Sequence, residues 1–137
     1  MKQLPKVDKY MSAMPHTVER TTSIRKALEL MREFDIRHLP VQENGMLVGV
    51  LTDRDIKLAC GFENSAELTV NGVMTLNPYT ATPQTPLDHV VLEMAEHKYG
   101  CAVIQQENGK IVGIFTATDG LRVLGEMMHE HYRSNTA

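Results

Sequence analysis

The chain has 137 residues, 42% of them hydrophobic and 23% charged, with 14 Lys and Arg against 17 Asp and Glu and a formal net charge of −3. That balance is too apolar for a disordered chain and carries no basic field to recruit nucleic acid or an anionic membrane. The longest apolar run, Gly45–Leu51, is far short of the roughly 20 residues a transmembrane helix needs, the first residues have no secretory apolar segment, and two cysteines make no disulfide framework, so a soluble, cytoplasmic protein with free thiols is expected.

The elements come twice. A shift of 63 residues lays Met11 on Met74, Pro15 on Pro78, Thr17 on Thr80 and Met31 on Met94. One extra residue near Gln105 makes the shift 64, and eight of the fourteen positions from Gln42 to Asp55 are then identical to Gln106–Asp119. In chain order, a short extended piece at Thr17-Val18 precedes a helix over Ile24, Ala27, Leu28, Met31 and Phe34, with Ser23 as its N-cap. Strands His38–Gln42 and Met46–Thr52 follow, joined by Asn44-Gly45, a type I′ hairpin signal. A second helix runs from Arg54 to about Cys60, and a connector occupies about 62–69. The second copy repeats the extended piece at Thr80-Ala81 and a helix carrying Leu87, Val90, Val91 and Met94, with Pro86 early in it, where a missing N–H is harmless. Strands Cys101–Gln106 and Lys110–Thr116 flank another Asn-Gly, and a last helix runs from Asp119 to about Arg133. Each copy is β-α-β-β-α, repeat one at about 7–61 and repeat two at about 70–126. A unit of about 60 residues is marginal alone, so the expectation is one module over 1–137 with a shared core.

Each hairpin ends in Gly-h-h-Thr-x-x-Asp: Gly49, Thr52 and Asp55, then Gly113, Thr116 and Asp119. One reading is a capping box, in which the hydroxyl and the carboxylate close the helix N-terminus. The other is ligand binding. A helix N-terminus offers N–H groups to a phosphate, an ionised Asp can hold a ribose diol, and a glycine lets a flat group approach the strand. Capping alone leaves the recurrence of Gly49 and Gly113 unexplained, which favours binding.

This doubled pattern resembles the cystathionine-β-synthase (CBS) domain pair, or Bateman module, over about Val7–Leu124. The resemblance implies an α+β fold, two tandem β-α-β-β-α repeats packed through their sheets about a pseudo-twofold axis, with two clefts for AMP, ADP, ATP or S-adenosylmethionine. It implies a regulatory module without catalysis, acting on an unknown partner protein. It also implies that Thr116 and Asp119 share a cleft with His16, Thr17, Ile36, Arg37 and His38, and that Thr52 and Asp55 share the other with Tyr79, Thr80, Tyr99, Gly100 and Cys101. Arg37 and His38 are suited to phosphate, so the Asp119 cleft is expected to prefer a phosphorylated ligand and the Asp55 cleft to be weaker or to tolerate an uncharged adenosyl group. The competing expectation is a ligand-free scaffold whose Thr-x-x-Asp motifs only cap helices.

Three further features are weaker. His129 and His131 lie two apart, on different faces of a helix, which disfavours a metal site and favours an exposed helix end. Leu121, Leu124 and Met128 form a stripe suited to a homodimer contact. Cys101 reads as a small buried residue.

Overall fold

The computed structural model describes residues 3–61 and 67–133. The first five positions of the expected connector, 62–66, lie outside the described residues. Eight strands and four α-helices follow the expected order, with two additions: β1 (Ser12–Ala13), β2 (Val18–Glu19), α1 (Ile24–Phe34), β3 (His38–Glu43), β4 (Met46–Thr52), α2 (Asp53–Ala59), β5 (Thr75–Leu76), β6 (Thr80–Ala81), α3 (Leu87–His97), β7 (Cys101–Gln105), β8 (Ile111–Thr116) and α4 (Ala117–Arg133). The additions are β1 and β5, each two residues long and exposed. The architecture is mixed α+β, with two four-stranded sheets among the described residues. Among the described residues no helix is long and apolar enough to cross a membrane.

Two compact units emerge, and their bounds are offset from the sequence repeats. One comprises Met14–Pro78 with Gln106–Ile111; the other takes the chain up to Ala13, Tyr79–Gln105 and the chain from Val112 onward. In the α1–α2 unit the sheet order is β2-β3-β4-β5, with β2 parallel to β3 and the rest antiparallel. Its core joins Ala27 and Met31 of α1 to Leu39, Val41 and Leu51 of the hairpin and to Ile56, Val70 and Met74. Helix α1 forms because Ile24, Ala27 and Met31 fall on one face and the Ser23 hydroxyl accepts the Lys26 N–H at 3.1 Å. It stops at Asp35, which turns left-handed at φ 51° while the Ile36 N–H reaches back to the Met31 carbonyl.

In the α3–α4 unit the order is β1-β8-β7-β6, with β1 antiparallel to β8 and β6 parallel to β7. The first residues are tied in by bonds from Val7 N–H to the Thr85 carbonyl and from Leu87 N–H to the Pro5 carbonyl, both 2.9 Å. Val7, Leu87, Val90, Met94, Ala102, Ile104, Phe115 and Val123 make its core. Full burial of Phe115 alone stabilises by roughly 2–3 kcal/mol. Pro86 sits at the N-cap of α3 instead of within the helix.

The two Asn-Gly turns differ, which corrects the expectation of two equivalent hairpins. Asn44 and Gly45 both have positive φ, 53° and 78°, as a type I′ turn requires. In the second hairpin only Gly109 does, at 88°, after a turn closed by the Gly109 N–H on the Gln106 carbonyl. The extra residue lengthens that loop to three, and such a loop places one glycine in the left-handed region.

Candidate functional site

Both Thr-x-x-Asp motifs are closed capping boxes. At the start of α2 the Asp55 N–H donates to Thr52 Oγ1 at 3.1 Å and the Thr52 N–H donates to Asp55 Oδ2 at 3.0 Å. At the start of α4 the corresponding distances are 3.2 Å for Asp119 N–H to Thr116 Oγ1 and 2.9 Å for Thr116 N–H to Asp119 Oδ2. Each such cap contributes about 1 kcal/mol to the helix it starts. Closing the box does not exhaust the carboxylate. An ionised Asp has about four lone-pair positions, the box uses one, and the second oxygen is held in a fixed direction by the first. Capping and diol binding are therefore compatible demands on one residue.

Hairpin geometry decides what stands beside each motif. In β3 and β4 the register pairs His38 with Thr52, and the Asp53 N–H donates to the Arg37 carbonyl at 3.0 Å. The start of the first strand necessarily lies beside the end of the second, so the backbone at Arg37 and His38 runs alongside Thr52 and Asp53. Arg37 and His38, expected with Asp119, belong to the unit that carries Thr52 and Asp55. Arg37 is exposed, and among the described residues its guanidinium makes no ion pair, whereas His38 is partly buried. In the same unit the His16 ring stacks on Phe34 with centroids 3.7 Å apart and planes 14° apart, Ile36 packs on the core, and Thr17 leads into β2 half-buried.

Tyr79, Thr80, Tyr99, Gly100 and Cys101 belong to the other unit, with Thr116 and Asp119. The Ala117 N–H donates to the Gly100 carbonyl at 3.0 Å, the counterpart of the Asp53–Arg37 bond. Where the first unit has cations, this one has rings: Tyr79 stacks on Tyr99 and Tyr99 on His97, each at 5.2 Å, and His97 Nε2 is 3.3 Å from Glu93 Oε2. Burial raises the Tyr79 phenol pKa, with smaller contributions from the Glu93 charge and from Tyr99, so the ring stays a neutral stacking surface. Thr80 pairs with Val103 in the parallel ladder. Burial pushes the Cys101 thiol up to about 12, which removes it as a nucleophile near neutral pH.

The glycines have a different role from the expected one. A Cβ at Gly49 would stand 2.8 Å from both Met74 Sδ and the Thr75 carbonyl oxygen, and one at Gly113 would run into the Met11 side chain. The space read as room for a flat ligand is filled by β5 and by two methionines. Met11 and Met74 recur at the same 63-residue offset, so the signal was present in the sequence, but nothing local says which atoms fill the gap.

Sequence reasoning also missed Arg122, whose Nη1 lies 3.3 Å from Asp119 Oδ1, and the rings of Phe34 and His97. A cavity of about 680 Å³ lies within the α3–α4 unit, lined by apolar side chains including Leu4, Leu87, Val91, Met94, Leu121 and Leu124. Among the described residues no group of three or more His, Cys, Asp or Glu could hold a metal ion. His129 and His131 are exposed on α4, where the His131 ring meets Tyr132 edge-on.

Comparison with known proteins bears on this geometry. A family model described as CBS domain matches residues 7–61 and 70–126. A crystal structure of a CBS domain pair in complex with 5′-methylthioadenosine and S-adenosyl-L-methionine superposes with TM-score 0.84 at 31% identity, covering 91% of this chain and 99% of that one. A CBS-pair protein of Arabidopsis thaliana in complex with AMP superposes with TM-score 0.76 at 27% identity, covering 89% and 97%. The L-aspartate semialdehyde sulfurtransferase of Methanocaldococcus jannaschii is 33% identical over 116 residues, which are 84% of this chain and 22% of that protein. The chain thus spans only about a fifth of the length of several curated relatives it matches.

Proposed function

The chain belongs to the CBS domain family, and on that premise we propose that it is a regulatory module that binds an adenosyl ligand and reports its occupancy to a partner protein. The observation that carries this reading is the cluster at the end of the first hairpin. There His38 pairs with Thr52, the Arg37 carbonyl accepts from the Asp53 N–H, and among the described residues Asp55 makes no bond besides its capping box. Asp55 takes the ribose diol, Arg37 and His38 take phosphate, and the Thr52 hydroxyl adds a bond to the same group. Thr116 and Asp119, in the unit that holds the Tyr79–Tyr99 stack, form the counterpart for a second adenosyl ligand. The ligands held by relatives, AMP, S-adenosyl-L-methionine and 5′-methylthioadenosine, support the class; ADP and ATP complete the candidates. A bound ligand favours the packing to which it binds more tightly, and that difference is the signal.

Isothermal titration of nucleotide-free protein with AMP, ATP, S-adenosylmethionine and adenosine tests the reading. Asp55→Ala combined with Asp119→Ala is expected to weaken all four by about tenfold, 1.4 kcal/mol, and Arg37→Ala to weaken AMP and ATP more than adenosine. A second reading, a scaffold whose motifs only cap helices, is favoured by the two closed boxes and by the packing of Gly49 and Gly113. No binding of any of the four at millimolar ligand would establish it in place of the first.

We further propose that the module works as a cytoplasmic homodimer. On α4, Leu121, Leu124 and Met128 are 71%, 55% and 51% exposed at spacings of three and four, a helical stripe that a second copy would cover. The two free thiols suit a reducing compartment.

A further inference from the structure

The two motifs close the same box but differ in the fate of the other carboxylate oxygen. Asp119 Oδ1 accepts from the Arg122 guanidinium at 3.3 Å, one turn further along α4. The Asp119 side chain is 13% exposed and that of Arg122 64%, so the bond joins a largely enclosed carboxylate to an exposed cation. At the corresponding place on α2, 64 residues earlier, stands Leu58, which is exposed and has no donor. Among the described residues Asp55 accordingly keeps its second oxygen open while Asp119 does not.

We infer that Arg122 is a tethered competitor for Asp119, a selectivity residue that sets the affinity of the second motif for a diol below that of the first. This rests on the reading of Thr-x-x-Asp as diol-binding. A ribose that reaches Asp119 must displace an intramolecular donor already in place, whereas one that reaches Asp55 displaces only water. Because Arg122 is largely exposed, its hold is that of a surface ion pair, which corresponds to roughly a two- to fivefold change in affinity and is screened by salt. An incoming anionic group gives the guanidinium an alternative partner, so the handicap is greatest for a neutral nucleoside.

The test uses adenosine, which has the diol and no phosphate, titrated into the full chain by calorimetry. On an Asp55→Ala background, which leaves only the Asp119 motif, Arg122→Ala is expected to tighten binding roughly two- to fivefold, and half-molar salt to abolish that gain. On an Asp119→Ala background, Leu58→Arg is expected to weaken the Asp55 motif by a similar factor. Circular dichroism melting of each variant excludes unfolding as the cause. Arg122→Ala that leaves affinity unchanged or lowers it, in protein that otherwise binds adenosine, overturns this inference alone. Failure of the unsubstituted chain to bind adenosine or AMP overturns the diol reading and this inference with it.

Discussion

Alanine at Gly49 and alanine at Gly113 occupy equivalent places in the two repeats, and the structure predicts different outcomes. The Cβ of Gly49→Ala would lie 2.8 Å from Met74 Sδ and 2.8 Å from the Thr75 carbonyl oxygen. Met74 can rotate its thioether away, but the Thr75 carbonyl belongs to β5, held against β4 by the Gly49–Leu76 and Val50–Thr75 pairs. Something in the backbone must shift. Overpacking of this kind costs about 1–3 kcal/mol, and the lower entropy of the unfolded alanine chain offsets roughly 0.4–1 kcal/mol of it. The net loss is about 1–2 kcal/mol. An unfolding entropy near 2.1 cal/mol/K per residue gives roughly 0.29 kcal/mol/K for 137 residues, so Tm should fall by about 3–7 °C. At Gly113 the three nearest atoms all belong to the flexible Met11 side chain, so Gly113→Ala should change Tm by less than about 2 °C. Differential scanning calorimetry of both variants decides the matter. Equal losses, or complete rescue of Gly49→Ala by Met74→Ala, would show that the carbonyl contact is not the obstacle. Unchanged Tm with lost adenosine binding would return the glycine to the ligand.

Two other predictions concern the thiol and the assembly. The Cys101 thiol is raised by burial to about 12 from an ordinary value of 9.0. Between those values the unfolded chain has lost the proton and the native chain retains it, so stability should fall as pH rises above about 9, by up to ~1.4 kcal/mol per pH unit. Urea unfolding at about pH 8 and about pH 10 measures the fall, and Cys101→Ala should remove that part of it; an identical slope in the variant would falsify the assignment. For the assembly, Leu121→Glu with Leu124→Glu should halve the mass seen by light scattering while leaving the far-ultraviolet spectrum intact. A monomeric unsubstituted chain, or a substituted chain of unchanged mass, removes the dimer.

The parts of the fold legible in the sequence were those whose information is local. Ser23 before Ile24, Ala27 and Met31, and Asn44-Gly45 between apolar runs, each specify an element within a few residues. Strands β1 and β5 have two exposed residues apiece, too few for any alternation to register, and exist because β8 and β4 offer edges far along the chain. The altered second turn was foreshadowed by the extra residue near Gln105, which only the backbone angles convert into a different turn type. For the candidate site, residue types were legible and partnerships were not. Thr52 and Asp55 were visible as a capping box or a ligand site, and both descriptions fit the geometry. The hairpin register, which is local, sets His38 against Thr52; grouping Arg37 with Asp119 came from a resemblance and joins residues of two units. Arg122 three residues after Asp119 could have been read from helical spacing alone.

The offset of the compact units from the repeats has a consequence for biosynthesis. The sheet β2-β3-β4-β5 draws on a continuous stretch from Val18 to Leu76, so it can assemble while the ribosome is still extending the second repeat. The N-terminal arm cannot. Val7 waits for Thr85, 78 residues later, and Ser12 waits for Ile114, so this arm finds its place only after most of the second repeat has been made. Until β8 emerges, the arm is an unpaired strand donor on a nascent chain. A substitution that weakens the Val7–Thr85 or Ser12–Ile114 pairing would burden the closing step of the α3–α4 unit while leaving the β2-β3-β4-β5 sheet undisturbed.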